Sequence, residues 1–237
     1  MRRVARRDRD QLADAGLDEV VVVPFTRELA ATSPESFMQW LQERTGLHEL
    51  WVGEEFALGK DRVGTIDRLQ EIGEQLGFRV IAVPRLTNGT EVVSSSRVRQ
   101  AVASGDVILA RRLLGRPFRV EGEVVHGQKL GRTIGFPTAN ISVTADRAMP
   151  ALGVYATRAH IGSRTLMGAT NIGRRPTFDA GHVSIETYLL DFEGDIYGER
   201  MDLEILARVR GEVRFESVAQ LKAQIAKDVD SARNLVP

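Results

Sequence analysis

The chain has no cysteine, only four histidines and no net charge, with 32 Lys plus Arg against 32 Asp plus Glu. Without cysteine there is no disulfide framework, no thiolate nucleophile and no Cys-ligated metal. The charge balance removes any global field that would draw the protein to nucleic acid or anionic lipid, so an anionic ligand must be held by locally clustered groups. No apolar run approaches the roughly 20 residues of a membrane helix; the longest, Val20 to Phe25, has the length of a strand. The Arg-rich start MRRVARRDRD has the look of a transit peptide, but those segments are poor in acids, and Asp8 and Asp10 follow at once. The expectation is a cytoplasmic protein that handles small molecules, with neither nucleic acid nor membrane as partner. At 237 residues and 43% apolar content, the chain is long enough for two cores.

The hydrophobic pattern changes partway along. Val4 to Gly16 suits a polar helix, and DEVVVVPF reads as a buried parallel strand. Ser33-Pro34-Glu35 has the form of a helix N-cap with proline at the first helical position, with Phe37, Trp40 and Leu41 at core spacing. HELWVG reads as a strand, Thr65 to Gly77 as a helix through Ile66, Leu69, Ile72 and Leu76, and FRVIAVP as a third strand. This alternation predicts an α/β layer with a parallel sheet. SSSRVRQAVASGD and VILARRLLG predict two short bridging helices. From Arg116 onward, FRVEGEVV, GVYATRAHI, RTLMGATNI, HVSIETYLLDF and MDLEILARVR are strand-like runs separated by turn residues, which predicts an antiparallel barrel or sandwich. A closing helix carries Val218, Leu221, Ile225 and Val229 on one stripe. The expected domains are residues 1–115 and 116–237.

The chemistry concentrates in GQKLGRTIGFPTAN, Gly127 to Asn140. Glycines let backbone amides approach an anion, so Gly127, Gly131 and Gly135 either form part of a phosphate-binding loop or simply allow turns in a β-rich domain. Thr138 and Asn140 alternate along an extended segment, so both side-chain oxygens can face one side, an arrangement suited to a hard cation such as Mg²⁺. Lys129 and Arg132 supply the local positive charge that ATP phosphates need.

This stretch closely resembles the signature of riboflavin kinases, in particular the kinase module of the bifunctional riboflavin kinase/FMN adenylyltransferase (FAD synthetase) family. The likeness continues through GVYA at 153–156, NIGRRPTF at 171–178, IETYLLDF at 185–192, IYG at 196–198 and RGEVRF before the last helix. It implies a small closed β-barrel with a C-terminal helix, Mg²⁺, and ATP as co-substrate for converting riboflavin to FMN. It also implies that Thr138 and Asn140 bind metal and ATP phosphates and that Glu186 is the general base. Asn171, Arg174, Arg175 and Thr177 fall in an apparent loop that the resemblance sets beside the flavin. By itself Glu186 is a glutamate on the polar face of a strand, with Ser184 and Tyr188, and such a residue is ordinarily just solvated.

The first half is similar to the adenylyltransferase module of the same family, through VVPF, SPESFMQWL, GEEFALGKDRVG and SSSRVR. The resemblance implies a Rossmann-like nucleotidyltransferase sheet in which Ser95, Ser96, Arg97 and Arg99 handle phosphates at a helix start; without it, Ser94 to Ser96 is a helix cap. Two features depart from the family. Gly53-Glu54-Glu55-Phe56-Ala57-Leu58-Gly59 stands where the family has Gly-x-Asp-Phe-x-Phe-Gly, and the family's His-x-Gly-His motif has no counterpart. The expectation is an incomplete parallel sheet, either because Met1 is internal to a longer protein or because the chain is a true short form, with riboflavin kinase activity and little adenylyltransferase activity. A full bifunctional enzyme whose first segment is missing from this sequence, and a non-catalytic flavin-binding module, are the alternatives.

Overall fold

The structure, a computed structural model, describes residues 12–13, 15–89, 91–127, 130–144, 147–174 and 183–235. They form two compact units, divided between Leu86 and Thr87. The two helices after Ser94 fall in the second unit, the first helix packed on the second and the second on the barrel that follows.

In the first unit, helix α1 (Pro34–Thr45) starts at Ser33, whose hydroxyl accepts the Ser36 amide at 3.2 Å, and stops at left-handed Gly46. Strand β1 (Glu49–Gly53), helix α2 (Ile66–Leu76) and strand β2 (Arg79–Val83) follow, and β1 runs parallel to β2 in register Trp51↔Ile81. The core is Met38, Leu69, Ile72 and Phe78. Phe37 and Leu41 flank it, while Trp40 stacks on Phe37 with ring centroids 5.7 Å apart. Met38, one residue off the expected stripe, is fully enclosed, and Pro34 at the helix start is buried as well.

The expected buried strand at DEVVVVPF does not form. Val21, Val22, Val23 and Phe25 are exposed, Phe25 at 84%. A strand exists only where a neighbour takes its backbone hydrogen bonds and a layer covers its side chains. Here β1 and β2 pair only with each other among the described residues. The helix expected over Val4 to Gly16 falls mostly outside those residues.

The second unit opens with a short hairpin, β3 (Thr87–Asn88) and β4 (Glu91–Val92), then helices α3 (Ser95–Ser104) and α4 (Val107–Leu114). Ser94 and Asp106 cap them through the Arg97 and Leu109 amides. Six strands follow: β5 (Phe118–Val125), β6 (Thr138–Ser142), β7 (Gly153–Ile161), β8 (Arg164–Arg174), β9 (Val183–Leu189) and β10 (Arg200–Arg210). They close into an antiparallel barrel in the order β10-β5-β6-β9-β8-β7. Alternation sends Val120, Ile141, Tyr155, Ile172, Ile185, Leu203 and their neighbours inward to one core. Closure leaves no long unpaired edge.

The last helix, α5 (Val218–Asn234), lies on the outer surface over β7, β8 and β10, where Ala156 and Ala169 let Ala232 approach closely. Its expected stripe is rotated. Val218 is 63% exposed, Leu221, Ile225 and Val229 are half-buried, and the enclosed residues are Asp228 and Ala232. No described helix is long and apolar enough to cross a membrane.

Candidate functional site

Strand register assembles the site. On β6, Thr138 pairs with Tyr188 of β9, and Asn140 pairs with Glu186. Across the other edge of β9, Glu186 pairs with Asn171 of β8. Paired residues point to the same side of a sheet, and the next row, Ile141, Ile185 and Ile172, lies in the barrel core. Asn140, Glu186 and Asn171 therefore form a transverse row on the outer face, with neighbouring Cβ atoms about 4.5–5.5 Å apart. Asn171 and Arg174, expected in a loop, are strand residues, because NIG pairs fully with β9. Arg175 and Thr177 lie outside the described residues, as does Lys129.

Glu186 is half-buried and forms no hydrogen bond or ion pair among the described residues. Its carboxylate is uncommitted, whereas most carboxylates on this barrel are tied up by arginine. Glu204, for example, is held by Arg119 at 2.5 Å and Arg158 at 3.1 Å.

Asn140 also borders a cavity of about 490 Å³, walled on one side by Gly127, Arg132 and Thr138 and on the other by Phe192, Asp195 and Tyr197. Its amide is 5% exposed, wedged beneath Gly127: a Cβ at residue 127 would come within 2.2 Å of Asn140 Nδ2. Glycine is needed there because a backbone lies directly on a side chain. Gly131 and Arg132 sit in a single helical turn, Leu130–Thr133, closed by the Phe136 amide donating to the Gly131 carbonyl at 2.8 Å. Gly135 leaves the turn at φ 90°, in the left-handed region that other residues avoid. Phe136 then meets Tyr188 edge-on with centroids 5.4 Å apart, tying the loop to the outer face. The Arg132 guanidinium has no partner among the described residues and can bind an anion in the cavity.

The opposite wall was not anticipated from the sequence. Tyr197 packs against His126 with ring centroids 3.8 Å apart and the rings tilted by 40°, and Asp195 accepts the Tyr197 amide at 3.0 Å. The available signal was Ile196-Tyr197-Gly198, part of the family likeness but without an evident chemistry of its own. The serine-rich segment stands apart from the cavity. Arg97 is engaged by Glu91 and the Val92 carbonyl, and Arg99 by the Ser95 carbonyl and the Ser96 hydroxyl, all on or beside α3.

A riboflavin kinase family model matches residues 114–236, and a FAD synthetase family model matches residues 4–97. Bifunctional riboflavin kinase/FMN adenylyltransferases of Escherichia coli (strain K12), Pseudomonas fluorescens and Bacillus subtilis are 40%, 42% and 35% identical to the chain. Those alignments span 94%, 93% and 94% of this chain and 71% of each relative. A solved structure described as a macrolide-efflux protein from Streptococcus pneumoniae is 32% identical and superposes with a TM-score of 0.89, over 96% of this chain and 74% of that one. By the kinase-family match over the barrel and by identity to these relatives along nearly its whole length, the chain belongs to the bifunctional riboflavin kinase/FMN adenylyltransferase family.

Proposed function

We propose that the protein is a cytoplasmic riboflavin kinase that transfers the γ-phosphoryl group of ATP to the ribityl 5′-hydroxyl of riboflavin, giving FMN and ADP. One observation carries the reading: Asn140, at the edge of the nucleotide-sized cavity, stands in register beside the uncommitted carboxylate of Glu186. A phosphate held at Thr138 and Asn140 and a hydroxyl held at Glu186 are then neighbours on adjacent strands, which is the proximity phosphoryl transfer requires.

Glu186 takes the hydroxyl proton as the oxygen bonds to the γ-phosphorus, and the bond to the β-phosphate oxygen breaks, releasing ADP. Arg132 and the turn bearing Gly131 and Gly135 close over the phosphates, and Gly127 fixes the Asn140 amide. The residues fit Mg²⁺ carried by the nucleotide. Thr138 and Asn140 offer neutral oxygen donors, and no group of three His, Asp or Glu able to hold an ion by itself occurs among the described residues. When bound there, the ion supplies charge neutralisation and orientation of the phosphates. The flavin lies on the outer face beside Asn171 and Arg174.

For FMN adenylyltransfer we propose that this polypeptide is poorly equipped. Residues 1–115 carry the likeness to that module, but no His-x-Gly-His motif occurs in the sequence, and Arg97 is tied to Glu91. The direct test of the kinase reading is FMN production from riboflavin, ATP and Mg²⁺ by the purified chain. No turnover in a folded preparation that still binds flavin would leave the non-catalytic binding module in its place.

A further inference from the structure

The row that carries Glu186 does not end at Asn171. It continues through Val154 of β7 to Arg210, the last residue of β10. Arg210 forks onto Asp228 of α5, with Nε at 2.9 Å from Oδ1 and Nη2 at 2.7 Å from Oδ2. Gln224 donates to the same carboxylate at 2.9 Å, and Asp228 is 3% exposed. A buried ion pair of this kind is a weak source of net stability, since apolar side chains of similar volume usually do as well. What it confers is geometry, because the planar fork fixes both partners in orientation.

The same guanidinium holds the segment that follows it. Nη1 donates to the Gly211 carbonyl at 2.9 Å, and the Phe215 ring centre lies 5.7 Å away. That segment reaches the outer face beside the site. A Cβ on Gly173 would lie 3.3 Å from the Glu212 carboxylate and 3.2 Å from the Asn171 amide, so both groups sit over the end of β8. Glu212 therefore borders the surface from which Glu186 projects, and none of residues 211–216 lines the nucleotide cavity.

We propose that Arg210 and Asp228 are positioning residues for the acceptor substrate: their ion pair locks residues 211–216 as the wall of the groove over β8 and β9 in which the flavin alcohol lies. The proposal rests on the riboflavin kinase reading. The wall and the nucleotide cavity share no residue, so loosening the pair changes acceptor binding and leaves nucleotide binding alone.

The test uses the full chain with Asp228→Asn, which keeps the shape, and Arg210→Lys, which keeps the charge but loses the fork. The KM for riboflavin should rise about tenfold or more, as expected when a positioning group is displaced, with the KM for ATP within about twofold of wild type. Amide hydrogen exchange at residues 211–216 should accelerate in both variants while the barrel strands stay protected. Equal changes in both KM values, or a lowered Tm with the riboflavin KM unchanged, would overturn the proposal. Should the wild-type chain make no FMN, the kinase reading fails separately. The lock is then judged by exchange alone, and unchanged protection at 211–216 refutes it.

Discussion

Glu186 and Asn140 occupy one register pair, yet their surroundings differ: the carboxylate is half-open, and the amide is pinned beneath a glycine backbone. Two residue-level predictions follow from this contrast. Glu186→Gln should retain the fold and lower the rate of FMN formation by about 10²–10⁴, the usual contribution of a general base, as read by steady-state kinetics beside a thermal melt. Turnover close to wild type would remove Glu186 as the base. Gly127→Ala should act through its neighbour, because the new methyl occupies the place of the Asn140 amide. The expected outcome is a loss of ATP affinity and rate far larger than the fall in Tm, measured by nucleotide titration and calorimetry. The alternation of Thr138 and Asn140 was readable in the sequence, and so was the face of Glu186. That the two strands would be paired, and in that register, was not, since 46 residues separate Asn140 from Glu186 and periodicity says nothing about partners.

At the scale of elements, the loop between β5 and β6 has, among the described residues, one in the left-handed region, Gly135. Gly135→Ala should cost about 1–2 kcal/mol, the penalty of that conformation for a residue with a Cβ. Denaturant unfolding measures it, with FMN formation falling as the turn loses its place over the cavity. The outer faces of β5, β7 and β10 carry a lattice of opposite charges: Glu121 with Arg147 at 3.0 Å and Arg200 at 2.8 Å, and Glu204 with Arg119 and Arg158. Burial, the largest single influence, would raise the pKa of both carboxyls, but hydrogen bonds and Coulombic attraction from the surrounding cations together outweigh it and hold each below its ordinary value of 4.5. A carboxyl whose pKa is depressed by folding stabilises the native state above its unfolded pKa, and that stability disappears as the pH falls through the lower folded value. The Tm should therefore stay level from pH 7 down to about 5 and fall below about 4.5. Glu204→Gln should melt lower at pH 7 and lose less on acidification. A wild-type Tm that stays level below pH 4 would contradict this account. Helix α5 shows what amphipathic spacing misses: its stripe was legible, but the enclosed residue at its centre is an aspartate, which apolar pattern-reading places on the outside.

At the scale of the whole molecule, the described residues form two compact units. The second holds a closed barrel with a continuous core, each of whose six strands is paired on both sides. Among the described residues, the first has two parallel strands and an exposed apolar run at Val21 to Phe25. The prediction at this scale is a division of activity: the polypeptide converts riboflavin to FMN and yields little or no FAD from FMN and ATP, as followed by chromatography of the flavins. FAD formation at a rate comparable to FMN formation would show that adenylyl transfer does not need the missing histidine motif.

The sequence by itself determined the family likeness and the class of most elements, though not of the DEVVVVPF run or of the NIGR segment. Glycine spacing, caps and alternation are local properties, and the run from Gly127 to Asn140 with Glu186 carries the likeness to riboflavin kinases within a few side chains. The tertiary structure alone decided which strands meet, and hence that Asn140, Glu186, Asn171 and Arg210 share one row. It also decided that Val21, Val22 and Val23 stay in solvent and that Asp228 is enclosed. The physical reason is the same in each case. A residue's own pattern fixes which way its side chain can point, whereas burial, pairing and charge compensation are set by partners distant in the chain, which appear only once the chain has closed on itself.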